Sequence, residues 1–541
     1  MTTEAVCSSI LEVSLPLGIY SYQKEQMPPS LETDPERPGL VGLENSNPND
    51  AATIEESEHC GLVHNVFEEG SVHLEHGSSV AQATFNFTNS IIGAGAIGLG
   101  GAMAVSGGFI SVFLILFFGF LTKVSLDMLI RLSVENFGAQ GTYEDLAQLC
   151  MGRPGRSLVT VCKLLYSFGC LVAYIVVIKD NIAPAIRDLI YGSTAHYHRT
   201  DWLYIILAND QAFTWLISCV CILPLCLLRD MTPLASLSLL SVASMIAIVV
   251  IVISMYFFCP EIAVSGGSFY TKWIEVRPGV LESLGTFVFT YVSQHTAHLV
   301  FGSLKPSLRT VQKWRIVSTW SLLSATSVSL SVGLFVYMTF WQNTKSDIFE
   351  IYPKGWMVDY SKLLLCVTMI LTFPLPFFTC RELCIVTFVH PFCGGMEYNV
   401  GSPLPLERHE SDLQEPLIGG DLDRGSVEIT SSMRERSRRL LSTASPKNWL
   451  LPGDKHQLKF AGHVGLTLKL WVIATGLAIA APSLGHVLNL VGCATGTMIA
   501  FLLPALFSFR IQGYSHGAMI IFLVGAVVGP VGTYFSLKSF F

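Results

Sequence analysis

Between Thr84 and Gly107 the chain reads TFNFTNSIIGAGAIGLGGAMAVSG. Two amides, Asn86 and Asn89, stand ahead of Gly93, Gly95, Gly98, Gly100 and Gly101 in a stretch otherwise apolar enough to cross a membrane. Each glycine lowers helix stability by about 1 kcal/mol relative to alanine, which a plain lipid anchor has no reason to bear. A helix that breaks inside the bilayer does have one. Its unwound backbone exposes carbonyls and N–H groups that can hold an ion and the charged ends of a small solute. A second segment, GVLESLGTFVFTYVSQHTAHLVFGSL (279–304), sets Ser293, Gln294, His295 and Thr296 mid-span. His295 and His298 share a helix face by spacing. Imidazole titrates near neutral pH, so His295 is a candidate for proton coupling or pH sensing, against the plainer reading of a hydrogen-bonded structural histidine. No Asp, Glu or Cys is placed to complete a metal site around these histidines, so no metal is expected. The chain has no GxxxxGK[ST] or HExxH motif, and its GxSxG match, GYSHG (513–517), lies between two apolar segments rather than on a strand-to-helix turn. ATP-driven transport and hydrolysis lack their residues, and an enzyme is not expected.

The elements that must position these residues are membrane spans. Of 541 residues, 51% are hydrophobic and 13% charged, against about 25% charged in soluble proteins. The hydropathy pattern predicts an all-α integral membrane protein with eleven transmembrane helices, at 84–107, 109–133, 157–186, 211–229, 233–258, 280–302, 316–341, 361–389, 462–482, 484–508 and 515–537. Spans one to five and six to ten form two blocks whose first helix is the interrupted one, the sequence sign of an inverted repeat with its site between the halves. Lys305, Arg309, Lys313 and Arg315 follow span six, Arg153 and Arg156 follow span two, and Arg229 ends span four. The positive-inside rule then puts the N-terminus in the cytosol. Residues 1–83, with fourteen Asp and Glu against Lys24 and Arg37, are expected to be an acidic, disordered cytosolic tail. Residues 84–390 hold spans one to eight. Residues 391–460 read as a disordered cytosolic loop, and 461–541 hold spans nine to eleven and a short tail. Most cysteines lie in apolar runs and read as small buried thiols rather than a disulfide framework.

Taken together, FNFTNSIIGAGAIGLGGAM (85–103), TYEDLAQLCMG (142–152), GSLKPSLRTVQKW (302–314), DIFEIYP (347–353), LTFPLPFFTCRE (371–382) and NLVGCATGTMIAFLLPALF (489–507) resemble the amino acid/auxin permease superfamily, in particular its sodium-coupled neutral amino acid transporter branch. The resemblance covers about 84–390 and 460–537. It implies a LeuT-like fold of five-plus-five inverted repeats and one further helix, carrying small amino acids with sodium, or with protons in vacuolar and lysosomal relatives. It also implies a sodium site that includes Asn89 and Thr372, helped by backbone carbonyls near Ile92 and Gly93. Substrate contacts map to the unwound backbone at Gly93, Ala94 and Gly95, facing the sixth-helix break around Thr290 and Ser293. Two departures lie beside that site. Relatives follow the glycine break with Leu-Pro and an aromatic residue, where this chain has Leu99-Gly100-Gly101. Relatives also carry a Cys-His-His-Asn-like stretch where this chain has Ser293-Gln294-His295-Thr296.

Each implied role has a plainer competitor. Asn89 can be an interhelical hydrogen-bond partner instead of an ion ligand. Thr372 can bond back to the carbonyl four residues earlier, and Thr368, one turn away, is a rival ligand. Pro374 and Pro376 free carbonyls in the preceding turn, which favours an ion site. Lys163, costly in lipid, reads as facing protein or standing in for a cation. The expected function is secondary active transport of neutral amino acids by alternating access, with sodium as coupling ion and no cofactor. Two alternatives stay open: a proton-coupled or exchange-type vacuolar or lysosomal carrier, and a non-transporting amino acid sensor. The expected partners are neutral amino acids and the lipid bilayer, with no nucleic acid. The membrane is either the plasma membrane or that of a vacuole or lysosome.

Overall fold

The capping residues mark where helices begin. Ser79 accepts from the Gln82 N–H at 3.2 Å and opens α1 (Val80–Ile91). Thr142 and Asp145 form a reciprocal capping box that opens α4 (Tyr143–Tyr191), satisfying two donors that a bare helix start would leave unpaired. Asn209 caps α5 (Asp210–Leu227) with a single bond, accepting from Ala212 N–H at 3.1 Å. Between α1 and α4 lie α2 (Ala94–Ser106) and α3 (Gly108–Phe137), joined at Gly107, whose φ of 109° suits glycine. The computed structural model describes residues 77–192, 202–228, 237–264, 267–385, 387 and 460–539, all within one compact unit spanning residues 74–541. Most of the expected acidic tail and nearly all of the expected 391–460 loop lie outside the described residues.

Besides a short helix at Trp202–Ala208, the remaining helices are α6 (Leu237–Phe258), α7 (Val280–Phe289), α8 (Gln294–Ser303), α9 (Val311–Phe340), α10 (Trp356–Cys384), α11 (Phe460–Ala480), α12 (Leu484–Ile511) and α13 (His516–Lys538). Among the described residues nine helices are long and apolar enough to cross a membrane, and α1 with α2, bent by 48° at their break, make a tenth if the pair is one span. The α7–α8 pair is the second expected interrupted span. Each of its halves is ten residues long, about half a crossing. Exposed Phe113, Leu116, Phe120, Ile246, Val250, Trp320, Leu323, Val472 and Leu523 coat the long helices with the apolar surface that lipid requires. The protein is an all-helical, multi-pass membrane protein.

Packing sorts the helices into neighbours that matter for the site. Helix α9 lies along α1, α2 and α3, whereas α10 lies along α4 and α6. Helix α4 also receives α5 and α11, and α7 packs on α2, α12 and α13. One reversal stands out within α4. Gly152 has φ 70° and breaks the helical path, so residues 143–151 fold back on the longer remainder of the helix. Lys163 Nζ therefore reaches Glu144 Oε1 at 2.7 Å, where nineteen residues of straight helix would hold them ~28 Å apart. Lys163 is paired in this way rather than standing free for a cation role. No disulfide joins the eleven described cysteines.

Candidate substrate and ion site

The break between α1 and α2 spans two residues. Ile92 N–H still bonds Thr88 O at 2.9 Å, but Ile92 turns to ψ 104° and Gly93 is fully extended before α2 restarts at Ala94. The first turn of α2 thus presents the N–H groups of Gly93, Ala94 and Gly95 without intrahelical acceptors, at the positive end of a helix dipole. The opposing break is built from the end of α7. Tyr291 N–H bonds Val288 O and Thr296 N–H bonds Ser293 O, leaving 290–293 as an irregular link into α8. The two breaks touch. A Cβ added at Gly95 would sit 2.7 Å from Thr290 Cα, so the start of α2 rests directly on the C-terminal end of α7. An N–H-rich end and a carbonyl-rich end meet there, the polarity an α-amino acid's carboxylate and ammonium require.

Beside this junction is a cavity of about 20 Å³, room for about one water. It is bordered by Gly93 and Gly95 of the first break, Val292, His295 and Thr296 of the second, Tyr166, Cys170 and Tyr174 of α4, and Thr372 and Pro376 of α10. None of its lining residues carries a carboxylate, ammonium or guanidinium group. At this volume the site is closed around empty space too small for an amino acid.

Of the residues singled out in the sequence, Gly93, Gly95, His295 and Thr372 border the cavity, whereas Ile92, Ala94, Asn89, Thr290, Ser293 and Thr368 lie behind its wall. Asn89 is buried, at 6% exposure, and its amide has no hydrogen-bond partner among the described residues. Thr372 Oγ1 donates to Thr368 O at 2.7 Å, and Ser241 Oγ of α6 lies 3.2 Å from it. Its proton goes to that carbonyl, so Ser241 donates to one of its lone pairs and the other remains available. Thr368 Oγ1 donates to Leu364 O at 2.9 Å. The Nδ1 atom of His295 is buried without a partner, and its ring packs 4.9 Å from that of Tyr166.

The sequence reading missed the α4 wall. Tyr166 Oη reaches both Phe289 O and Val292 O at 3.3 Å, tying α4 to the second break. Tyr174 Oη stands where a Cβ on Gly93 would come within 2.9 Å. Tyr166, Cys170 and Tyr174 recur at i, i+4 and i+8, and that polar-edged stripe in an apolar helix was the available signal. Ser241 was likewise missed, since one hydroxyl in a long apolar run carries no pattern.

Residues 76–522 match the family described as transmembrane amino acid transporter protein. The chain belongs to that family. It is a family of transporters, not of enzymes. The chain is 30% identical over 319 residues, 58% of its length and 65% of the relative's, to a Bos taurus protein named "Putative sodium-coupled neutral amino acid transporter 11". The Rattus norvegicus protein of the same name is 28% identical over 325 residues, 59% of this chain and 67% of that one. The chain thus spans about two thirds of the length of these relatives. Vacuolar amino acid transporter 2 of Saccharomyces cerevisiae is 24% identical over 454 residues, covering 82% of this chain and 78% of the yeast protein. A crystal structure of a manganese transporter mutant from Eremococcus coleocola overlaps 85% of this chain and 86% of its own at 10% identity, with a TM-score of 0.42, too loose an overlap to carry an argument.

Proposed function

We propose that this family member moves neutral amino acids across a membrane by alternating access, with sodium as the coupling ion. One observation carries the reading: an uncharged cavity lies where the N–H-rich start of α2 abuts the carbonyl-rich end of α7. A zwitterion matches those two ends, and a side chain bearing net charge would find no counter-ion in the wall. The names of the animal relatives support both the neutral substrate and the ion. Eleven spans, counting α7–α8 as one, would form a five-plus-five inverted repeat with one further helix, and the N-terminus would be cytosolic. Asn89 and Thr372 are the proposed side-chain ligands of the ion. The unpartnered amide of Asn89 and the remaining lone pair of Thr372 at the cavity wall support them, with Thr368 a weaker candidate because, unlike Thr372, it does not border the cavity. Carbonyls at Ile92 and Gly93 would complete the shell, and Gly93, Ala94, Gly95, Thr290 and Ser293 would meet substrate through backbone and hydroxyl groups.

A second reading, proton-driven carriage on a vacuolar or lysosomal membrane, draws support from the yeast relative's name and from the unpartnered Nδ1 of His295 beside the cavity. Uptake of a labelled neutral amino acid mixture into proteoliposomes separates the two. Sodium-stimulated uptake that disappears in Asn89→Ala supports the first. Stimulation by a proton gradient alone supports the second. Substrate binding without uptake under any gradient would overturn both and leave a sensor.

A further inference from the structure

On the side of the α1–α2 break away from the α1 end, a second and wider cavity of about 640 Å³ opens between α2, α4, α5, the 344–350 segment and the start of α12. The 344–350 segment is wedged against its walls. A Cβ on Gly101 would lie 2.6 Å from Ser346 N and Cα, so α2 meets this segment with no side chain between them. Asp347 is 4% exposed and is held from two sides. Its Oδ1 accepts the Phe349 N–H at 3.0 Å, and its Oδ2 accepts from Asn181 Nδ2 of α4. Asn181 is itself 1% exposed. Its Nδ2 also donates to Val177 O at 2.9 Å, yet its Oδ1 is buried with no donor. A buried acceptor left without a donor in this way is destabilising. A carboxyl proton on Asp347 is the one donor this pair of side chains can supply to it, closing a two-bond ring of carboxylic acid and amide.

We propose that Asp347 and Asn181 form a proton-binding latch that holds the 344–350 segment shut over the wide cavity when protonated and releases it when ionised.

The surroundings favour the protonated form. Burial pushes the Asp347 carboxyl up to about 7, helped by the like charges of Asp180 and, more weakly, Glu350. The other charged or titratable groups nearby are Lys179 on α4, Asp210 on α5, Lys345 on the segment itself, Cys366 and Lys362 on α10, and His486 on α12. Lys179 is occupied by Asp180 at 3.6 Å and by the carbonyls of Ala478 and Ala481, and Lys345 bonds Glu350. Neither ammonium is turned to Asp347. In the open arrangement the carboxyl meets water and returns to its ordinary value of about 4. The group is therefore raised in the closed state. Its contribution to closure is complete below pH ~4 and is lost as the pH rises through about 7. Between pH 8 and pH 6 the closed-to-open ratio should rise about tenfold.

The latch rests on the transport reading only for its consequence, slower entry of substrate from the cavity side in acid. Its test does not need transport. The full chain in proteoliposomes is given Ser346→Cys, and labelling by a membrane-impermeant methanethiosulfonate reagent is followed from pH 5.5 to 8.5. Rates are normalised to the parent chain and to Lys354→Cys, whose native side chain is 77% exposed. Normalised labelling should accelerate about tenfold on passing upward through pH 7. Adding Asp347→Asn, which keeps the shape but cannot ionise, should leave labelling slow at every pH. Adding Gly101→Ala, which wedges the segment away from α2, should leave it fast at every pH. A flat profile in the Ser346→Cys chain, or a pH step that survives Asp347→Asn, overturns the latch even where uptake is normal. Loss of uptake with the labelling step intact instead sinks the transport reading and leaves the latch standing.

Discussion

Replacing Gly95 by alanine tests the junction on which the functional reading rests. The added methyl would lie 2.7 Å from Thr290 Cα, 2.9 Å from its Oγ1 and 3.1 Å from its N. Two of those three atoms are backbone, so no rotamer change relieves the clash, and α2 and α7 must separate. Overpacking of this kind costs about 1–3 kcal/mol. Alanine returns up to about 1 kcal/mol of helix propensity, and only where the helix is otherwise undisturbed. If the two ends part during the transport cycle, the net cost falls on the closed state alone. A differential of 1–3 kcal/mol shifts such an equilibrium by about 5- to 150-fold. Uptake by Gly95→Ala proteoliposomes should therefore fall at least about fivefold, with substrate binding weakened in parallel. Gly476→Ala on α11 is the control, because a Cβ there meets nothing within 4 Å. It should transport normally and gain up to about 1 kcal/mol of stability. If Gly95→Ala binds and transports at the unsubstituted rate, the two helix ends do not form the site.

Asn89→Ala removes an amide that no described residue engages, so the thermal midpoint should hold while sodium stimulation of uptake disappears; a drop in midpoint would indicate a structural amide instead. Thr372→Val should lower sodium affinity and cost about 1 kcal/mol from its bonds to Thr368 O and toward Ser241. Thr368→Val should leave the sodium response unchanged, since Thr368, unlike Thr372, does not border the cavity. An equal loss of sodium response in both would remove the distinction drawn between them. Glu144→Gln strands the Lys163 ammonium, whose side chain is 12% exposed. Breaking a fully buried pair costs about 3–5 kcal/mol, so a clear fall in the thermal midpoint is expected, with recovery when Lys163→Met is added. Failure of the double variant to recover would assign Glu144 some further role.

The breaks were legible because glycine in a bilayer helix and a run of Ser-Gln-His-Thr in an apolar segment both contradict their surroundings. Such contradictions survive in a sequence read without neighbours. The α4 wall contradicts nothing: Tyr166 and Tyr174 score as ordinary aromatic residues, and only the distance to Phe289 O, Val292 O and Gly93 reveals their part. Helix starts were read late for the same reason. Helices α9 and α10 begin at Val311 and Trp356, each five residues ahead of the expected spans, because polar first turns held by caps and neighbours do not register as hydrophobic. Asp347 and Asn181 lie 166 positions apart, and no local pattern could pair them.

The two ends of the site are closed by different chemistry. On the α1 side, Ser78 N–H bonds Ser303 O at 2.7 Å and Lys305 N–H bonds Ser78 O at 3.2 Å. Ser90 Oγ lies 3.5 Å from Thr296 Oγ1 nearer the cavity. These contacts tie α1 to α8 at both ends, so the two half-helices below the breaks are built to move as a unit rather than apart from each other. None of these groups titrates in the physiological range, which makes that coupling indifferent to pH. On the far side, the closing segment hangs on one carboxyl facing Asp180 and Glu350. A site closed by uncharged backbone bonds on one side and by an ionisable pair on the other responds to acid from one compartment only. Protons can then bias which face opens without being the ion that drives the cycle.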